Sequence, residues 1–292
     1  MKKILVLLLL VATPAFAASI ITRGAYSAYP FGFMKVPAVG TCSDTSATTW
    51  QSAVITNGGT VSAGRYQVIC TMISGMKTDG TWSKFDRLWI FAGENAIQAR
   101  TDLVANELVT LVGAPTFTAN KGYIAASNST YMTSTFNFST ATNFAQNSGH
   151  LMGYINSTSG SSNTNAIGSS QLNVEAEAIY FQFGNGNEYT RINNSSQGGI
   201  AVSNSLGMTL GSRTASTTTT TYKNGSSIGS DSGASGAPPN NVLWILAQNL
   251  SAPTTDQSNR YAAISVGGGF TSGQASNVYS RVLTALTSIG AN

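Results

Sequence analysis

Trp82–Leu103 reads WSKFDRLWIFAGENAIQARTDL, and here the chain changes character. Upstream, Ser62–Lys77 carries Tyr66, Ile69, Met72, Ile73 and Met76 at three- and four-residue steps, the apolar stripe of a helix packed on one side. Inside the stretch, Leu88–Phe91 is the first compact apolar run after that helix. Lys84, Asp86 and Arg87 precede it and Glu94 follows, as expected of a strand entering a core from a charged turn. Downstream, short runs rich in β-branched and aromatic residues alternate with Gly/Asn/Ser turns. These runs are Leu108–Val112, Tyr131–Phe138, Leu151–Ile155, Ala178–Phe183, Glu188–Ile192, Leu206–Leu210, Thr217–Tyr222, Val242–Ala247 and Arg260–Val266. Strands at this density, with no helical pattern between them, predict an all-β sandwich.

Smaller signals refine that outline. Phe117–Tyr123 holds a turn at Ala119–Gly122 and reads as a hairpin, and Asn224-Gly225 suits a type I′ turn. Ser62 is a helix N-cap, and Asp79-Gly80 closes that helix. Asn95–Leu103 has the content of a short surface helix. Ser43–Thr49 reads as a polar loop, and Trp50–Thr56 as a short strand stopped by Asn57-Gly58-Gly59. At the far end, Thr271 and Gln274 form a capping box. Val278, Val282, Leu286 and Ile289 make a stripe, and Gly290 stands at the C-cap position. The expected organisation is a leader at 1–17; an arm, helix and first strand at 18–103; the β-sandwich at 104–270; and a helix at 271–292 packed on the sandwich or on the first helix.

The leader reading rests on Lys2 and Lys3, the apolar run Ile4–Ala12, Pro14, and Ala15-Phe16-Ala17 as a small-x-small cleavage site. The apolar run falls well short of the roughly 20 residues that span a bilayer. Removing the leader lowers the formal charge of +4 by its two lysines. So near-neutral a chain, with 9% charged residues, lacks the clustered Lys and Arg of a nucleic-acid surface. Tyr26, Tyr29, Phe31 and Phe33 read as an extended arm packing its aromatics. Cys42 and Cys70 most simply make one disulfide in an exported protein, and two buried thiols are the alternative.

Little in the chain points to catalysis. His150 is the single histidine, with no nucleophile motif beside it, and zinc hydrolases need more than one. Glu175 and Glu177 are two apart on a strand, but the Glu-x-Asp-x-(x-)Glu pattern of sandwich glucanases lacks its central Asp and third acid here. Tyr180–Gly184 has Gln where the Tyr-Phe-Lys-x-Gly strand of sandwich alginate lyases has Lys, and no Gln-x-His partner exists. Calcium suits lectin-like sandwiches, but Asp231 and Asp256 stand singly in loops and are not assigned as ligands. No other cofactor is expected. Sugar binding uses aromatic faces and amide groups, for which Tyr154, Asn156, Asn185, Asn187 and Tyr189 are the candidates, although all five are also ordinary turn and strand-end residues.

Gly64-Arg65-Tyr66, Asp79–Trp89 (DGTWSKFDRLW) and Ala114–Tyr123 (APTFTANKGY) resemble a group of concanavalin A-like (laminin-G-like) sandwich proteins of tailed phages, prophages and bacteria. Gln146–Leu151 and Gly268–Gly290 follow the group's general pattern, so the resemblance covers most of Gly64–Gly290. It implies a jelly-roll sandwich with a lead-in helix and a C-terminal helix. In function it implies a tail-associated or virion module, or a surface adhesin, that binds a glycan or another surface receptor, with other virion or surface subunits as further partners. The leader departs from tail proteins, which assemble in the cytoplasm, and favours an exported surface protein. The shared motifs are determinants of fold, and no site residue carries over from them. The resulting expectation is a non-catalytic binding module, with a structural virion or adhesion subunit as the alternative and a sandwich hydrolase or lyase behind both.

Overall fold

The computed structural model of the chain describes residues 41–160, 167–170, 176–181, 184–194, 198–249, 253 and 255–292. The expected leader and aromatic arm lie outside these residues, as does Glu175.

Four α-helices lie among the described residues, and the first, second and fourth pack into one core. They are α1 (Thr45–Thr56), α2 (Ala63–Thr78), α3 (Ala96–Arg100) and α4 (Ser272–Ile289). The first corrects the expected loop and strand at Ser43–Thr56. Asp44 caps it through Ser46 N at 2.8 Å, and Ala47, Trp50 and Val54 form its buried stripe. Its threonines and Val54-Ile55 lower helix propensity, but packing against α2 overrides that local preference. Ser62 caps α2 as expected, accepting from Arg65 N. Cys42 and Cys70 are joined in a disulfide that ties the chain ahead of α1 to the middle of α2. Helix α3 is not a surface helix, because Gln98 and Ala99 are buried. Helix α4 has both halves of its capping box and ends at Gly290, whose φ of 74° is the left-handed geometry glycine supplies.

Sixteen described strands follow in chain order: β1 (Phe85–Ile90), β2 (Thr110–Val112), β3 (Thr116–Thr118), β4 (Gly122–Ile124), β5 (Tyr131–Asn137), β6 (Gly149–Thr158), β7 (Ile167–Ser170), β8 (Ala176–Tyr180), β9 (Asn187–Arg191), β10 (Ile200–Ala201), β11 (Gly207–Ala215), β12 (Thr218–Lys223), β13 (Ser226–Asp231), β14 (Val242–Ile245), β15 (Gln248–Asn249) and β16 (Asn259–Gly267). They make two sheets. The first runs β13-β12-β11-β6-β16-β4-β3, with β1 also pairing β16 from Phe85↔Gly267 to Ile90↔Ala263. The second runs β10-β9-β8-β7-β14-β5-β2, antiparallel along this path, with β15 parallel to β7. Asn224 and Gly225, at φ 48° and 78°, make the expected type I′ turn between β12 and β13.

Alternation along the first sheet divides its side chains between two cores. From β6, Leu151 and Ile155 join Trp89, Phe136, Ile167, Ile179, Leu243, Ile245, Ile264 and Val266 between the sheets. Met152 and Tyr154, on the opposite face of β6, join Leu88, Met208, Leu210, α2 and α4. The middle strands of the first sheet are therefore covered on both faces, by helices on one and by the second sheet on the other, while Ser226, Ser227 and Ser230 of the edge strand β13 are exposed. Gly122 allows the tightest approach in this framework. Its φ is 116°, and a Cβ there would sit 1.9 Å from the Tyr261 carbonyl oxygen.

Candidate functional site

With the middle strands of the first sheet covered on both faces, the outer face of the second sheet at β2, β5 and β14 is one place where strand side chains reach solvent, the edge strand β13 being another. In β5, Met132, Ser134 and Phe136 turn inward, and Tyr131, Thr133, Thr135 and Asn137 turn outward. In β14, Leu243 and Ile245 are buried and Trp244 is half-buried. Pairing places Thr110, Thr133, Trp244 and Gly168 in one row across β2, β5, β14 and β7. One diagonal step along β5, the Tyr131 ring stacks on Trp244, with centroids 4.2 Å apart and planes 28° apart. Flat aromatic area beside threonine hydroxyls can hold a ring that presents C–H groups on one side and hydroxyls at its rim.

The face continues along β5 to Thr135, whose hydroxyl donates to Glu107. There a cleft of about 150 Å³ is lined by Asp86, Arg87, Thr135, Asn137, Thr140 and Thr142, among others. Arg87 donates through Nη2 to Glu107 Oε2 at 3.1 Å, stands 3.6 Å by Nε from Asp102 Oδ2, and lies over the Phe136 ring at 5.7 Å. Asp102 is fully buried and accepts from the amides of Leu88, Val104 and Ala105. Burial pushes its carboxyl up to about 6, against the pull of those amides and of Arg87. Asp86 accepts from the amides of Asn143 and Phe144. The charged residues around Leu88–Phe91 thus hold turns and the strand entry.

The five residues singled out from sequence fall in two places. Tyr154 is 6% exposed on the helix-facing side of β6, in the core shared with α4. Asn156 follows it and donates to the carbonyls of Lys121, at 2.7 Å, and Ala291, fastening the chain end beyond α4. Asn185, Asn187 and Tyr189 gather in the β8–β9 hairpin. There Asn185 Nδ2 donates to the Tyr189 hydroxyl at 2.8 Å and Asn185 Oδ1 accepts from Asn187 N at 3.1 Å. Asn185 is exposed, and Asn187 and Tyr189 are half-buried. Sequence reasoning missed the Tyr131–Trp244 pair. Alternation in Tyr131–Asn137 puts Tyr131 on the polar side, but the neighbouring of β5 and β14, over a hundred positions apart, is not written in either strand.

The other reactive groups whose side chains are described are engaged in structure. His150 is fully buried, with Nδ1 2.7 Å from the Gly268 carbonyl, Nε2 3.0 Å from Ser265 Oγ, and its ring against Phe85 and Phe270. Burial holds its pKa down at about 3. Glu177 lies in β8, its backbone paired with Ser169. Asp256 accepts from Ser258 N, Asn259 Nδ2 and the Tyr261 hydroxyl, and Asp231 from Asn194 Nδ2 and Gly233 N. Among the described residues no group of three or more His, Cys, Asp or Glu side chains is arranged to hold a metal ion. One further group escaped the sequence reading. Glu188 is buried between the sheets, 3.2 Å from Lys223 Nζ, which also donates to Thr209 Oγ1 and the Ser205 carbonyl. Burial raises the Glu188 pKa, and Lys223 and Thr209 counter that shift.

No protein-family model matches the chain, and no curated protein matches it. Among solved structures, domain 4 of AbnA, a GH43 extracellular arabinanase from Geobacillus stearothermophilus solved with arabinotriose, is similar at 12% identity and a TM-score of 0.47. That match covers 67% of this chain and 98% of the domain. The binding domain of botulinum neurotoxin serotype D is similar at 9% identity and a TM-score of 0.49, over 68% of this chain and 51% of that one. Trypanosoma rangeli sialidase is similar at 9% identity and a TM-score of 0.42, over 73% of this chain and 38% of that one. The chain thus spans nearly all of the arabinanase domain, about half of the toxin domain and under two-fifths of the sialidase.

Proposed function

We propose that this protein is an exported, non-catalytic binding module that takes a carbohydrate on the open face of its second sheet, with Tyr131 and Trp244 as the stacking platform. One observation carries the reading: the outward face of the second sheet at β2, β5 and β14 bears a stacked aromatic pair among threonines, while the middle strands of the first sheet are covered on both sides. The disulfide suits an oxidising compartment, and the leader read at Met1–Ala17 agrees with it. Among the described residues no helix is long and apolar enough to cross a membrane. The non-catalytic reading is supported by the structural engagement of His150, Asp102, Asp256 and Glu188. Two sheets with a lead-in helix and a C-terminal helix agree with the concanavalin A-like group, and an exported surface protein is the proposed setting. Asn185, Asn187 and Tyr189 on the β8–β9 hairpin are a second candidate contact on the same sheet.

A glycan array probed with the mature chain, with and without calcium, tests the proposal. Trp244→Ala should weaken any binding at least tenfold, while the unfolding midpoint moves little because the ring is half-buried. Tyr189→Ala separates the hairpin from the platform. An array on which nothing binds overturns the carbohydrate reading and leaves the structural adhesion subunit.

A further inference from the structure

We infer that the open face selects neutral glycans and rejects acidic ones, through the charge set at the end of β5. The inference rests on the platform being the glycan site. Tyr131 and Thr135 lie on the same side of β5, four residues and hence about 14 Å apart, so a bound chain stacked at Tyr131 and Trp244 runs toward Thr135 and the adjoining cleft. At that end Glu107 and the buried Asp102 flank Arg87, and Asp86 lines the cleft beside it, so three carboxyls stand around one cation among the described residues. The Arg87 guanidinium is already engaged by Glu107, by the Asp86 carbonyl and by Asp102 nearby, so it is not presented to a ligand carboxylate. Glu107 is the outermost of the acids, with its side chain 44% exposed, and Thr135 donates its hydroxyl to it. The next cation on this face, Arg191, is three strands from Trp244 in the row through Gly168 and Ala178. That is about 14 Å, and Arg191 lies on the side of Trp244 away from β5, so it is farther still from the acidic end. Hydroxyl groups, which donate to carboxylates, are accepted at the acidic end, whereas a uronate or sialate carboxylate meets repulsion.

The test uses matched probes: cellotriose, maltotriose and a galactotriose, each beside its C6-oxidised tri-uronate, titrated into the mature protein at low and high salt. The neutral member should bind about five- to tenfold more tightly at 10 mM salt, with the gap closing toward about twofold at 0.5 M. Glu107→Gln keeps an acceptor for Thr135 and should narrow the low-salt gap without weakening the neutral sugar. Equal or tighter binding of the tri-uronates, or a gap that Glu107→Gln leaves unchanged, overturns the selection while the platform stands. Binding to neither series, with none on the array, overturns the platform and the selection together.

Discussion

The single histidine makes one prediction unusually clean. His150 is enclosed by Phe85, Phe270, Gly268 and Ser265, and its pKa is held at about 3, while in the unfolded chain it titrates near the ordinary 6.5. The sign follows from linkage. A group whose folded pKa is depressed contributes stability that is fully present above pH 6.5 and is lost as the pH falls toward 3, because the unfolded chain takes up the proton first. Between pH 7 and pH 5 the loss is about 2 kcal/mol. Asp102 acts in the opposite sense. Its folded pKa of about 6 lies above the ordinary 3.8, so protonation restores on the order of 1 kcal/mol over the same interval. The two contributions oppose each other, so the wild-type chain must be compared with His150→Gln, in which the Asp102 contribution and those of the other carboxyls cancel. Urea unfolding should show the stability advantage of wild type over His150→Gln shrinking by about 2 kcal/mol from pH 7 to pH 5. In an untagged chain the imidazole Cε1–H gives one NMR signal, which should not titrate between pH 8 and 4.5. A midpoint near 6.5, or a stability difference independent of pH, would refute the buried-neutral assignment.

The disulfide closes a loop with a sequence separation of 28. On the chain-entropy model, reduction or a Cys42→Ser/Cys70→Ser double variant should therefore cost about 3.5 kcal/mol; an unfolding midpoint indifferent to reductant would contradict this. Lys223→Met should cost about 3–5 kcal/mol by stranding the Glu188 carboxylate between the sheets, and adding Glu188→Leu should recover most of it. A double variant as unstable as the single would show that the pair is not the reason.

Much of the framework was legible because its signals are local. Thr271 and Gln274 reach only three residues, Ser62 caps its own helix, and Asn224-Gly225 needs only its own two backbone conformations. A strand whose residues look like a turn was not legible: β7 is Ile-Gly-Ser-Ser and is held by its neighbours in the sheet rather than by β propensity, whereas β13, Ser-Ser-Ile-Gly-Ser-Asp, was signalled only by the turn ahead of it. Helix α1 failed in the other direction. Its threonines and Val54-Ile55 favour extended backbone locally, and burial of Trp50 against the helical layer decides otherwise. Among the candidate site residues, Tyr154 and Asn156 have the right chemistry for a glycan, but α4 covers the face they share.

By itself the sequence determined the class of fold, the ends of α2 and α4, the β12–β13 turn, the cysteine pair and the low charge content, since each depends on residue type and short-range spacing. The tertiary structure alone decided which strands are covered on both faces, that Tyr131 meets Trp244, that His150 is sealed among aromatics, and that Glu188 and Lys223 face each other across the sandwich. Alternation tells which side of its own strand a residue occupies. It does not tell what layer will cover that side, because that depends on strand order and on helices tens to hundreds of residues away.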